Sequence, residues 1–224
     1  MPRASRHRQL SLPATSTWGG RRPGAGRKPS GRKVGVPHRA RPEHKARHPV
    51  HVTLRAKLAC LRDQHIFPVV RDALAAASRS DFRLLHFSVQ TNHIHLLVEA
   101  HDALALSRGI RGLVIRTARA VNRARGRHGP LWKERYHQRV LRTPREVRHA
   151  LVYVLHNWKK HVEGACGLDP CSSAAWFDGW SGHPAIAPPA EVTTPVVAPR
   201  TWLAGKGWRR HGSIAPTEAP APSP

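Results

Sequence analysis

The run Phe87-Ser88-Val89-Gln90-Thr91-Asn92-His93-Ile94-His95-Leu96-Leu97-Val98-Glu99-Ala100 constrains this chain more than any other segment. Leu85, Phe87 and Val89 alternate with other residues over Phe82 to Gln90, so they are expected to share one face of a strand. Thr91-Asn92 reads as a tight connection or bend, and a further strand is expected from His93 to Glu99. Alternation turns Ile94, Leu96 and Val98 to one side of that strand and the two imidazoles of His93 and His95 to the other. Two histidines on the same face of an otherwise apolar strand need a chemical reason.

The flanking segments complete a pattern. Pro49 to Arg55 alternates β-branched residues and predicts a first strand. Phe67 to Arg79 spaces Val70, Leu74 and Ala77 as a helix does. A long helix is expected over Ala103 to Arg125, with Leu106, Ile110, Leu113, Val114 and Val121 as its buried stripe and arginines over the remainder. Gly129 to Leu141 predicts a fourth strand, with Trp132, Glu134, Tyr136, Gln138 and Val140 on one face. Thr143, Pro144 and Glu146 spell an N-cap, a first-turn proline and a capping box for a final helix carrying Val147, Ala150, Leu151, Val154 and Trp158. The order is β-α-β-β-α-β-α. It implies an α+β fold: a ferredoxin-like split βαβ unit on an antiparallel sheet, with one added C-terminal helix. Two helices can cover the apolar sheet face, which leaves the histidine face for the third.

Charge separates this unit from its flanks. Residues 1–50 hold 13 Lys and Arg against one acidic residue, residues 51–163 hold 21 against 8, and residues 164–224 hold 4 against 4. We therefore divide the chain into a basic disordered arm (1–48), a folded domain (49–163) and a mostly irregular tail containing Pro and Trp (164–224). A net charge of +25 is the footprint a polyphosphate partner demands, and counterion release should make such binding salt-sensitive. In the arm, Gly20 to Pro29 places Arg21, Arg22, Arg27 and Lys28 among Gly and Pro, like the hooks that lie along a DNA minor groove. Three cysteines supply no disulfide framework and no Cys-x-x-Cys pair. No apolar run has the length of a membrane span, and a cytoplasmic location is expected. Trp176, Phe177, Trp180, Trp202 and Trp208 suggest that tail segments dock on the core or stack unpaired bases.

Chemistry enters with the final helix. His149, Tyr153 and Asn157 recur every four residues and line one stripe, with His156 and Lys160 beside it. Facing the free sheet surface, that stripe would bring a phenol and an amide to the two imidazoles. A free phenol, with a pKa near 10, is only about one part in a thousand ionised at neutral pH, so it needs a cation or base nearby to attack phosphorus. A divalent metal would polarise a phosphoryl oxygen and offset charge in the transition state. Manganese or magnesium is the expected ion, with zinc an outsider.

These two segments carry a family resemblance. FSVQTNHIHLLVEA resembles the His-hydrophobic-His motif of single-tyrosine HUH transposases, the IS200-like and REP-associated tyrosine transposases. RHALVYVLHNWKKH resembles their nucleophile helix, in which an amide residue follows the Tyr by four positions. The resemblance covers about residues 49–163. It implies that Tyr153 attacks single-stranded or hairpin DNA to form a 5′-phosphotyrosine link and free a 3′-hydroxyl, with His93, His95 and Asn157 holding the metal. Lys160 is a candidate phosphate contact. Such proteins act as monomers or homodimers. Thr91 stands where many members have Pro, and Trp158 follows Asn157 where a Pro is usual, so the helix is expected to run on. The contrasting expectation is a catalytically inactive, domesticated nucleic-acid-binding protein, and a weaker one is a zinc-dependent RNA-binding protein.

Overall fold

The structure, a computed structural model, describes residues 43–58, 60–160, 167–182 and 192–220. Arm residues Arg21, Arg22, Arg27 and Lys28 lie outside them. Four strands, β1 (Val50–Arg55), β2 (Phe82–Val89), β3 (His93–Ala100) and β4 (His137–Val140), form one sheet in the order β2-β3-β1-β4, with every pair antiparallel. Helices α1 (Phe67–Ala75) and α2 (Ala103–Ala124) supply the two crossovers, and α3 (Pro144–His156) follows β4. This is the ferredoxin-like order with an added helix that the sequence predicts.

The sheet separates two cores. Val50, Val52, Leu54, Ile94, Leu96 and Val98 alternate onto one face and bury against Val70, Leu74, Leu106, Ile110 and Leu113 of α1 and α2. The close approach of α2 requires Gly109, where a Cβ would come within 2.2 Å of the Phe82 ring. On the other face, Leu85 and Leu97 meet Val147, Leu151 and Leu155 of α3. The α3 start follows its sequence signature. Thr143 Oγ1 accepts from Glu146 N–H while the Glu146 carboxylate accepts from Thr143 N–H, which satisfies two end donors reciprocally.

Two expectations about strands need correction. Leu85 does not share a face with Phe87 and Val89. A bulge between Leu84 and His86 inserts it as an extra residue, and it turns into the α3 layer. The fourth strand is also shorter than Gly129 to Leu141. Trp132 bridges Ala56, but regular pairing resumes only with His137 opposite Thr53. Four residues, Lys133 to Tyr136, therefore stand opposite two, Leu54 and Arg55, and the surplus interrupts the ladder. Gly129, at φ +94, and Pro130, without an N–H, turn the chain just before it.

The described segments after residue 166 pack onto the α3 layer. Phe177, Trp180, Trp208 and Ile214 are buried there, while Trp202, opening the one-turn helix α4 (Trp202–Gly205), stays about half exposed at 49%. Polar anchors fix these segments in place. Arg62 grips Asp169 through two bonds of 2.8 and 3.0 Å, and the Glu99 carboxylate accepts from the N–H groups of Arg200 and Thr201. No described helix is long and apolar enough to cross a membrane.

Candidate active site

Strand register assembles the site. Because opposite residues of an antiparallel pair share a face, Thr53 of β1 stands beside His95 of β3, and Arg55 beside His93. His51, two residues before Thr53, joins the same face. The His93 and His95 rings lie edge to face, with centroids 4.8 Å apart. Nδ1 of His95 sits 3.1 Å from Thr53 Oγ1 and 3.2 Å from His51 Nε2. Nδ1 of His93 sits 2.9 Å from Asn92 Oδ1. Both Nδ1 atoms are thus engaged, and such contacts orient an imidazole whose Nε2 ligates a metal.

Helix α3 brings the phenol to these rings. The Tyr153 ring meets His95 edge-on, centroids 5.0 Å apart at 88°, and lies 5.6 Å from the His51 ring. Tyr153 is half-buried. The Lys160 ammonium stands 4.8 Å over the centroid of the same ring, where the π face attracts a cation. The structure therefore joins Tyr153, His93, His95 and Lys160 in one place. His149, a turn before Tyr153, is exposed to solvent, and Tyr136 packs half-buried against the α1/α2 core.

Asn157 follows one turn after Tyr153. The regular helix ends at His156, yet Asn157 keeps helical dihedrals (φ −57, ψ −31) and opens a 3-10 turn through Lys160. So the chain does run on past the Asn, as Trp158 in place of Pro allows, but in a tighter winding. Asn157 is fully buried, and neither Oδ1 nor Nδ2 has a hydrogen-bond partner among the described residues. A buried amide in that condition costs about 1–3 kcal/mol per unsatisfied group, so it calls for a ligand. Among the described residues no three His, Cys, Asp or Glu side chains are placed to hold a metal. The buried amide oxygen of Asn157 is of the donor type that a divalent ion accepts.

Electrostatics keeps the site's back wall neutral. Burial, with the Arg139 guanidinium adding to it, pushes the His51 pKa down to about 4. His51 is thus an uncharged imidazole at neutral pH, sharing a hydrogen bond with His95 Nδ1. Sequence reasoning missed Thr53. The alternation of β1 was visible, but the pairing that sets Thr53 against His95 was not.

The IS200-like transposase family matches residues 48–154, the span that holds every strand, α1, α2 and most of α3. Among curated proteins none matches the sequence. Two solved structures show partial likeness. A REP-associated tyrosine transposase bound to a REP hairpin is 19% identical, covering 56% of this chain and 74% of its own at a TM-score of 0.46. A chain described as a transposase from Deinococcus radiodurans R1 is 17% identical, covering 49% and 87%, at a TM-score of 0.37. Over residues 48–154, 107 of its 224 residues, the chain is similar to the IS200-like transposases, and that span carries the His-hydrophobic-His strand and the Tyr-bearing helix.

Proposed function

We propose that this protein cleaves and rejoins single-stranded DNA, at or beside a hairpin, through a covalent link to Tyr153. The observation that carries the reading is the Tyr153 ring set edge-on against His95, with His51 beside it and the Lys160 ammonium above. In the forward step the phenol gives up its proton to solvent water and Tyr153 Oη attacks the phosphorus. The bond from phosphorus to the 3′ oxygen breaks, leaving a 5′-phosphotyrosine, and the departing oxygen takes a proton as a 3′-hydroxyl. Strand transfer runs the same chemistry backwards with a new 3′-hydroxyl.

His93, His95 and Asn157 would hold a divalent ion, manganese or magnesium, whose role when bound is to polarise the phosphoryl oxygen. Thr53 and His51 hold His95 in orientation from behind. Lys160, exposed and over the Tyr153 ring, is placed to attract the incoming phosphate. The arm residues Arg21, Arg22, Arg27 and Lys28 would add sequence-independent DNA contact.

The test is an adduct assay. The full chain is incubated with an end-labelled hairpin oligonucleotide and manganese, then run on a denaturing gel. A shifted, protease-sensitive band that disappears in Tyr153→Phe and in His95→Ala is the expected result. Tight binding with no adduct in the wild type would assign the protein instead to the catalytically inactive, DNA-binding class.

A further inference from the structure

The stretch Gly212–Glu218, distant in sequence from the candidate active site, straps one side of the helix that carries Tyr153. None of it lies in the span that matches the IS200-like family, residues 48–154. Arg148, in the second turn of α3, meets it with the whole guanidinium. Nε donates to Gly212 O at 3.1 Å and Nη2 to Ser213 O at 3.1 Å, while Nη1 and Nη2 grip the Glu218 carboxylate at 2.8 and 3.0 Å. Just under one turn past Tyr153, His156 Nε2 donates to Ala215 O at 3.1 Å. Lys159 Nζ donates to Pro216 O and Glu218 O. The strap thus ties α3 on both sides of Tyr153, over about 16 Å of helix.

The strap is itself held. Ile214, fully buried, donates from its N–H to Gly179 O at 3.1 Å and accepts from Ser181 N–H at 2.8 Å. Glu218 N–H closes a turn on Ala215 O at 2.9 Å. Gly212, at φ +84, bends the chain into the strap from the helical turn Gly207–His211. The Arg148–Glu218 pair is only 17% and 28% exposed, so it escapes much of the solvent screening that makes surface ion pairs weak.

Helix geometry gives these contacts a meaning. At roughly 100° per residue, Arg148, His156 and Lys159 fall about 60–140° round α3 from Tyr153, all to one side. Asn157 and Lys160 stay within about 40° of it. The other side carries Val147 and Leu151, packed with Leu85 and Leu97 of the sheet. Apolar packing is non-directional, so it presses the helix to the sheet but leaves rotation and sliding poorly defined. Directional bonds to a fixed strap remove both freedoms. Asn157 and Lys160 need this most, because they follow the last regular turn, where helix ends fray.

We infer that Gly212–Glu218 is a positioning element for the Tyr153 helix. Arg148, His156 and Lys159, bound to it, set the rotation of α3 that aims Tyr153, Asn157 and Lys160 at the face bearing His93 and His95. These positioning residues act through α3, not on the phosphate. The effect on rate rests on the strand-cleavage reading; the effect on where Tyr153 stands does not.

The chain has two tyrosines, Tyr136 and Tyr153, so full-length protein labelled with 3-fluorotyrosine gives two fluorine resonances, assigned by Tyr153→Phe. Glu218→Ala should shift or broaden the Tyr153 resonance and leave unchanged that of Tyr136, which packs on the α1/α2 core. In manganese, its single-turnover adduct rate on saturating hairpin DNA should fall about 10–100-fold, the scale of a misplacement of about 1 Å. Its DNA affinity in EDTA should stay within about twofold of wild type, a loss of rate without loss of binding. Glu218→Asp, which keeps the charge, should restore the resonance and bring the rate to within about fivefold of wild type. An unmoved Tyr153 resonance, an equal disturbance of Tyr136, or an unchanged adduct rate despite a moved resonance overturns the inference. If the wild type forms no adduct while Glu218→Ala still displaces Tyr153 alone, the positioning role stands and the strand-cleavage reading fails.

Discussion

Removing the Asp169 carboxylate should cost this protein about 3 kcal/mol. Its side chain is completely buried (0% exposed) and meets Arg62 through two parallel bonds of 2.8 and 3.0 Å. Its oxygens also receive the Cys171 N–H at 2.9 Å and approach the Ser88 hydroxyl at 3.4 Å. Breaking a buried ion pair from one side typically costs about 3–5 kcal/mol, because the other charge is stranded. Arg62 is 21% exposed and keeps its bond to Val89 O, so Asp169→Ala belongs near the lower end of that range. Asp169→Asn retains an acceptor for Cys171 N–H and should cost about half as much. Urea unfolding at pH 7, followed by the fluorescence of buried Trp180 and Trp208, reads both values, and an unchanged m-value keeps the comparison valid. The melting temperature of Asp169→Ala should fall by roughly 6–12 °C. A loss below about 1 kcal/mol would refute the reasoning, since the segment after residue 166 would then be docked by its aromatics alone.

Three further outcomes are expected. Gly109→Ala, despite its better helix propensity, should destabilise by about 1–3 kcal/mol, because the methyl meets a fully buried Phe82 ring; a stabilised variant in thermal melts would contradict the packing. Thr53→Val, which deletes the hydroxyl 3.1 Å from His95 Nδ1, should weaken manganese binding about 10–100-fold by calorimetry, and an affinity within twofold of wild type would remove its orienting role. Acid should unfold the protein early: burial pushes the pKa of His86 down to about 4, so the unfolded chain takes up the proton first and stability is lost as pH falls from about 6.5 toward 4. His86→Asn, able to keep a bond to Ser173 Oγ, should flatten that window by about 1–3 kcal/mol, and an unaltered pH profile would exclude His86 as a source.

Local chemistry written in adjacent residues was readable in advance. The capping box at Thr143 and Glu146 and the alternation that pairs His93 with His95 both depend on short-range geometry, and both stand as the chain implies. The element order followed too, because each element announces itself by its own period. Strand ends and faces were less legible. Nothing in Leu84-Leu85-His86 marks a bulge, and the interruption before His137 arises from how many residues β1 offers opposite. Such counts belong to two strands jointly and to neither alone.

Most specific contacts between distant segments lay beyond sequence reasoning. That Thr53 and His51 stand behind His95, that Lys160 reaches over the phenol, and that Asp169 clamps Arg62 across 107 positions all depend on register and helix docking. Periodicity says which face a residue occupies but not what lies across from it. The chain thus declares its elements and its chemically active residue types through local repeats. Their meeting point is set by packing free energy summed over the whole fold, which no short window contains.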